Sequence, residues 1–270
     1  MIKKLKPPPI NIDSASTSSN AATGVFPIVG IGASAGGIEA MSKFFSHMPP
    51  INGMSFVVIQ HLEPAYKSLL VELLQQVTSM KIYQADNRMK VKPNCVYVIP
   101  PDKDLTILDG TLRLMHRPIP PKQHLPIDFF FQALAEDRNE FAVGVVLYGM
   151  GPDGTDGIQH IKRRNGLTFV QEPSSCEFDG MPRSAINSGF ADFVGPAEEL
   201  PDMIIANLKH TELTLLEEPD SNTRRHQSAL DKIIFLLHER TGNDFSQYKK
   251  NTMYRRIERQ MKRCHVDNIA

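Results

Sequence analysis

The chain has 270 residues, of which 41% are hydrophobic and 22% charged, and its 30 Lys plus Arg balance 30 Asp plus Glu. A formal net charge of zero gives no global pull toward nucleic acid or an acidic membrane surface, and no apolar run approaches the roughly 20 residues that span a bilayer. The three cysteines, Cys95, Cys176 and Cys264, are odd in number, widely spaced and outside any C-x-x-C arrangement, so they read as reduced thiols of a cytoplasmic protein, not as a disulfide framework or a metal site.

Residues 1–24 are rich in Pro, Ser, Ala, Thr and Asn and poor in large apolar groups, the composition of a disordered tail. Polar residues follow Lys3, Lys4 and Lys6, so this tail is not a signal peptide. From residue 25 short apolar runs alternate with amphipathic stretches: strands over Ile28–Ile31 and Phe56–Ile59, helices over Gly37–Ser46 and Leu69–Thr78. Cys95–Ile99 reads as a further strand. Thr106–Leu108 and Leu112–Leu114, separated by Asp109-Gly110, read as a hairpin that adds an antiparallel element at one edge. A helical pattern spans Ile127–Arg138, and the strand Ala142–Tyr148 leads through a Gly-rich loop to a helix over Ile158–Arg164. Leu167–Val170 and Phe190–Val194 complete the strands.

Runs apolar on both faces and separated by helices imply an α/β fold, a mainly parallel doubly wound sheet with helices on both faces, extending to about residue 210. Residues 211–227 mix acidic, proline and basic residues and read as a linker. Residues 228–270, with nine Lys or Arg against five Asp or Glu, read as a short all-α segment.

Val29–Gly37, VGIGASAGG, fits two patterns at once. Gly30 to Ala35 matches the G-x-G-x-x-G/A turn of dinucleotide-binding domains, and Gly32 to Gly36 matches the G-x-S-x-G turn that presents a nucleophilic serine. The first pattern needs an acid at the end of the second strand for the ribose hydroxyls, where this chain has Gln60-His61. The second gains there, because His61 falls at the carboxyl end of the strand next to Ser34. The loop GMGPDGTDG, after Ala142–Tyr148, brings Asp153 and Asp156 to the same edge. A serine needs a base, and the base needs an acid to hold its tautomer. The order Ser, His, Asp differs from the Ser, Asp, His of α/β-hydrolases. Blander readings exist for each residue: Ser34 as a helix N-cap, His61 as a surface histidine, and GPDGTDG as a cation loop, although it lacks calcium-loop spacing.

The pieces GIGASAGG, VVIQHLEP, LYGMGPDGTDG and QEPSSCEFDGMPRSA, in this order between about residues 26 and 206, resemble the catalytic domain of chemotaxis protein-glutamate methylesterases (CheB). The resemblance implies Ser34 as nucleophile, His61 as general base, Asp153 rather than Asp156 as orienting acid, and the Met150 N–H as oxyanion donor. It also implies that Met181 and Arg183 lie near the substrate. It implies hydrolysis of glutamate methyl esters on chemoreceptors with release of methanol, glutamine deamidation in some members, and no metal or cofactor. Ala35 stands where the family often has Thr, and the family's N-terminal receiver domain has no counterpart in residues 1–24. The segment LDKIIFLLHERTGNDFSQYKKNTMYRRIERQMKR is similar to the start of the receptor methyltransferases (CheR), so the chain is read as a piece of a methylesterase–methyltransferase fusion. Its basic helix Tyr254–Arg263 is either a solvated face or a contact with acidic receptor helices or a methyltransferase domain. The expected partner is a methylated chemoreceptor. The reading from another class is a non-catalytic receptor-binding or scaffold module.

Overall fold

The computed structural model describes residues 25–34, 37–60, 70–116 and 125–216, with 209–216 described by backbone alone, and a few isolated positions beyond. His61, Ala35, the tail 1–24 and residues 217–227 lie outside the described residues. Positions 233, 236, 240, 257, 260 and 261 are helical.

The elements run β1 (Ile28–Ala33), α1 (Ile38–His47), β2 (Ser55–Gln60), α2 (Leu70–Gln75), β3 (Lys81–Gln84), β4 (Met89–Lys90) and β5 (Cys95–Val98). They continue with β6 (Lys103–Leu108), β7 (Thr111–His116), α3 (Pro126–Arg138), β8 (Ala142–Val146) and α4 (Thr155–Arg163). The last are β9 (Leu167–Gln171), α5 (Gly180–Asn187), β10 (Phe193–Gly195) and α6 (Leu200–Leu216), which continues past residue 210, the expected end of the core.

Every residue of β1, β2, β5, β8 and β9 is buried, as strands covered on both faces require. They lie in one seven-stranded sheet of order β3-β5-β2-β1-β8-β9-β10, paired in parallel throughout. The two-residue side-chain period divides each strand between two cores. Val29, Ile31, Phe56 and Val58 pack with Phe44 and Phe45 of α1, Leu74 of α2 and Ile204 of α6. Ile28, Val57 and Ile59 pack on the other face with Phe131 of α3, Ile158 of α4 and Ala185 of α5.

The Asp109-Gly110 turn forms as expected. Both residues have positive φ (51° and 67°), the pairing a type I′ hairpin requires. Its strands do not join an edge of the parallel sheet. They form a separate antiparallel sheet of order β4-β7-β6, whose Leu105, Ile107 and Leu112 share the α3 core. The Asp137 carboxylate of α3 accepts the Gly110 N–H at 3.2 Å and ties the turn to that helix.

Candidate active site

From β1 the chain moves outward through β2 to β5 on one side of the sheet and crosses to β8 on the other, so the strand order reverses between β1 and β8. In open α/β sheets the crevice at such a reversal, outside the carboxyl ends of the strands, is where ligands bind. Ser34 follows β1 at this point, and residues 147–154 follow β8.

Ser34 is half-buried. Its backbone N–H donates to the Tyr148 carbonyl at 3.4 Å, and its carbonyl accepts the Gly37 N–H at 2.8 Å and the Gln60 Nε2 at 3.3 Å. The N-cap position of α1 falls on Gly37, three residues beyond Ser34, and not on the serine itself. Gln60, buried as the last residue of β2, is thus a side-chain brace on the serine turn. It occupies the position where a dinucleotide-binding domain carries its acid.

Gly149 sits against the serine. A Cβ there would lie 2.5 Å from both Ser34 Cβ and Met181 Sδ, so only glycine allows this approach. The loop is pinned by Tyr148 N–H donating to Gln171 Oε1 at 3.0 Å, Gly149 N–H to the Phe178 carbonyl at 2.9 Å, and Met181 N–H to the Gly149 carbonyl at 2.8 Å. Gln171 is buried, and its amide also donates to the Ser175 carbonyl and hydroxyl at 3.3 and 3.2 Å. Met150, at the loop tip, is 67% exposed. Among the described residues nothing accepts its N–H.

Asp153 is buried, 1% exposed. Its Oδ2 accepts the Ile127 N–H at 3.1 Å, and its Oδ1 accepts the Asp128 and Gly154 N–H groups, each at 2.9 Å. Two of these donors belong to the first turn of α3, whose N–H groups have no partner within the helix. They stand in for the water that burial removes. Asp156 is exposed. Asp128 returns the bond: its Oδ1 accepts the Gly157 N–H of α4 at 2.6 Å. Burial foremost raises its carboxyl to about 7, and repulsion from Asp153 and Asp156 adds to this.

The fold therefore gathers Ser34, Met150 and Met181 around one loop, and holds Asp153 on that same loop against α3. Met181 is fully buried and supports Gly149, whereas Arg183 lies at the surface with its Nε 2.6 Å from Asp179 Oδ2. Burial foremost pushes the Cys176 thiol up to about 11, so it is protonated at neutral pH. Among the described residues no group of three or more His, Cys, Asp or Glu is placed to hold a metal ion. None of their helices is long and apolar enough to cross a membrane. Sequence reading missed Gln60, Gln171 and Asp128. The only signal available for the glutamines was a polar residue closing an otherwise apolar strand.

A doubly wound α/β protein with a serine turn at its topological reversal is the class that fold and site define. The chain belongs to the CheB methylesterase family, whose model matches residues 29–204. Residues 228–270 match the all-alpha domain of CheR methyltransferases. The chain is 32% identical over 199 residues to a protein-glutamate methylesterase/protein-glutamine glutaminase of Geobacter sulfurreducens, covering 72% of this chain and 55% of the relative. It is 30% identical over 186 residues to one of Hydrogenovibrio crunogenus, covering 67% and 49%. The chain thus spans about half the length of these relatives. The crystal structure of the Thermotoga maritima CheB methylesterase catalytic domain superposes with a TM-score of 0.61 at 29% identity, covering 67% of this chain and 98% of that one.

Proposed function

We propose that this chain is a protein-glutamate methylesterase that hydrolyses glutamate γ-methyl esters on a chemoreceptor or related signalling protein, with Ser34 as nucleophile. The observation that supports this best is the pairing across one crevice of the Ser34 turn with a loop carrying Asp153, a buried carboxylate held by three backbone donors. The relatives' names point to the same chemistry.

In this mechanism His61, the residue after β2, takes the Ser34 proton as Oγ attacks the ester carbonyl. Asp153 holds the His61 tautomer and supports the imidazolium that forms. The carbonyl oxygen becomes an oxyanion, stabilised by the Met150 N–H. Collapse of the tetrahedral intermediate breaks the C–O bond, His61 returns its proton to the leaving methoxide, and methanol departs. Water activated by His61 then hydrolyses the acyl-enzyme. An amide follows the same route with ammonia leaving, so glutamine deamidation is a second reaction of the site. Met181 supports the oxyanion loop from beneath, and Arg183 meets the substrate at the rim. The 228–270 segment contacts a methyltransferase domain or the acidic receptor helices.

Methanol release from a methylated receptor cytoplasmic fragment tests this reading. Ser34→Ala is expected to lose about 10⁴ to 10⁶-fold in turnover. Methanol release by Ser34→Ala at the wild-type rate would overturn the mechanism. Receptor binding without turnover by the wild type would favour a non-catalytic module.

A further inference from the structure

Asp128 lies outside every motif described above, yet it and Asp153 form a reciprocal pair. Asp153, just ahead of α4, takes N–H groups of Ile127 and Asp128 from the start of α3. Asp128, in the first turn of α3, takes the Gly157 N–H from the start of α4. The start of α4 is thus bonded by a carboxylate of α3, and the start of α3 by a carboxylate of the loop leading into α4. Two positive helix ends that would repel are brought together by two acceptors.

The approach is close. A Cβ at Gly157 would lie 2.6 Å from Phe131 Cβ and 3.1 Å from Asp128 Cα, so the two helices meet backbone to backbone. The last glycine of GMGPDGTDG is therefore explained by this junction. The loop between Gly149 and α4 is short, so the junction also fixes where Asp153 stands relative to the serine turn.

We propose that Asp128 is a positioning residue for Asp153, acting by locking the start of α4 onto the start of α3. The inference rests on the reading of Asp153 as the acid that orients His61. What matters in it is the acceptor at one place, not the negative charge. The raised carboxyl of Asp128 agrees, because near neutrality much of the population carries a proton and still offers an acceptor oxygen to Gly157.

Three substitutions in the full chain separate position from charge. Asp128→Asn keeps an acceptor in place and removes the charge. Asp128→Glu keeps the charge and displaces the acceptor by one methylene. Asp128→Ala removes both. The readouts are kcat and KM for methanol release from a methylated receptor fragment, and the rate at which a fluorophosphonate phosphonylates Ser34, with loss of fluoride. The expected result is that Asp128→Asn stays within about threefold of wild type. Asp128→Glu and Asp128→Ala should lose about 10 to 100-fold in kcat and in phosphonylation rate, with KM nearly unchanged, the scale of an ångström-level misplacement of a catalytic group.

If Asp128→Ala fails to fold, the Asn and Glu pair still decides. Loss in Asn with retention in Glu would overturn the proposal in favour of a charge effect, and wild-type rates in all folded variants would overturn it outright. Asp153→Asn serves as the control, with an expected loss of about 10⁴-fold. A wild-type rate in that control would instead indict the triad reading itself.

Discussion

At the scale of single residues, Asp128 also makes the fold sensitive to pH. Its carboxyl stands at about 7 against an ordinary value of 3.8, first because it is buried and then because Asp153 and Asp156 face it, while the Gly157 and Gly154 N–H groups oppose the rise. Between those two values the folded chain keeps a proton that the unfolded chain has released. The stability this group contributes is therefore complete below about 4 and is lost as the pH rises toward 7, above which it stays constant. Asp128→Asn is neutral throughout, so it should gain stability relative to wild type between about pH 5 and pH 8. Urea denaturation of both proteins at the two pH values checks this; parallel profiles would show that the group does not titrate in that window. Such residues are hard to see in a sequence. Ser34 and the 149–157 loop stood out because glycines surround them in recognisable order, but Asp128 reads as an ordinary acid in the first turn of an amphipathic helix. Gln60 and Gln171 are likewise single polar residues at strand ends, and what they bind is set by tertiary neighbours.

At the scale of elements, strongly patterned segments were legible. The five fully buried strands and the helices α1, α3 and α4 lie where their apolar periods put them, with ends differing by a few residues. The missed elements are β3, β4, α5 and the helix α6, whose sequence LPDMIIANLKHTELTLL mixes apolar and polar residues without a sharp helical period. β3 is short and only Ile82 of its four residues is partly covered. β4 has two residues, and α5 opens with Gly-Met-Pro, which reads as a loop. The glycines of GIGASAGG show how a pattern acquires its meaning from packing. Gly30 and Gly32 match a phosphate-binding turn, but in the fold their bare faces receive α3. A Cβ at Gly30 would lie 2.8 Å from Phe131 Cε1 and 3.1 Å from Leu134 Cδ2, and one at Gly32 would overlap Ile127. These glycines set the distance between β1 and α3, and so the place of the Ile127 and Asp128 N–H groups that hold Asp153. Gly30→Ala is thus expected to cost about 1–3 kcal/mol through overpacking, a melting temperature lower by roughly 2–10 °C for a chain of this size. It should also slow methanol release through displaced α3. Thermal denaturation followed by circular dichroism measures the first effect; an unchanged melting temperature would mean that α3 can retreat without loss.

For the whole molecule, both faces of the parallel sheet are closed within residues 25–216: α1, α2 and α6 cover one, and α3, α4 and α5 the other. The described part of the crevice between β1 and β8 is likewise built from residues of this span, within which His61 also falls. The family match to CheB methylesterases ends at residue 204, and the match to the CheR all-alpha domain begins at residue 228. The two cores on the faces of the sheet are assembled from described residues of 25–216, so the hydrophobic term that stabilises the α/β unit is expected to come chiefly from this span. A chain ending at Leu216 is therefore expected to melt within about 2 °C of the 270-residue chain, a shift worth less than roughly 1 kcal/mol. Its Ser34 should also be phosphonylated by a fluorophosphonate at the same rate. On the proposed function, the excess of basic residues in this segment is expected to speed association with acidic receptor helices, an effect that salt screens. Removing it should raise KM for a receptor fragment at low salt, with the difference shrinking above about 0.3 M salt, while kcat stays fixed. A fall in kcat or in phosphonylation rate on truncation would mean that the helical segment reaches the crevice itself, and the two matched regions would then work as one unit.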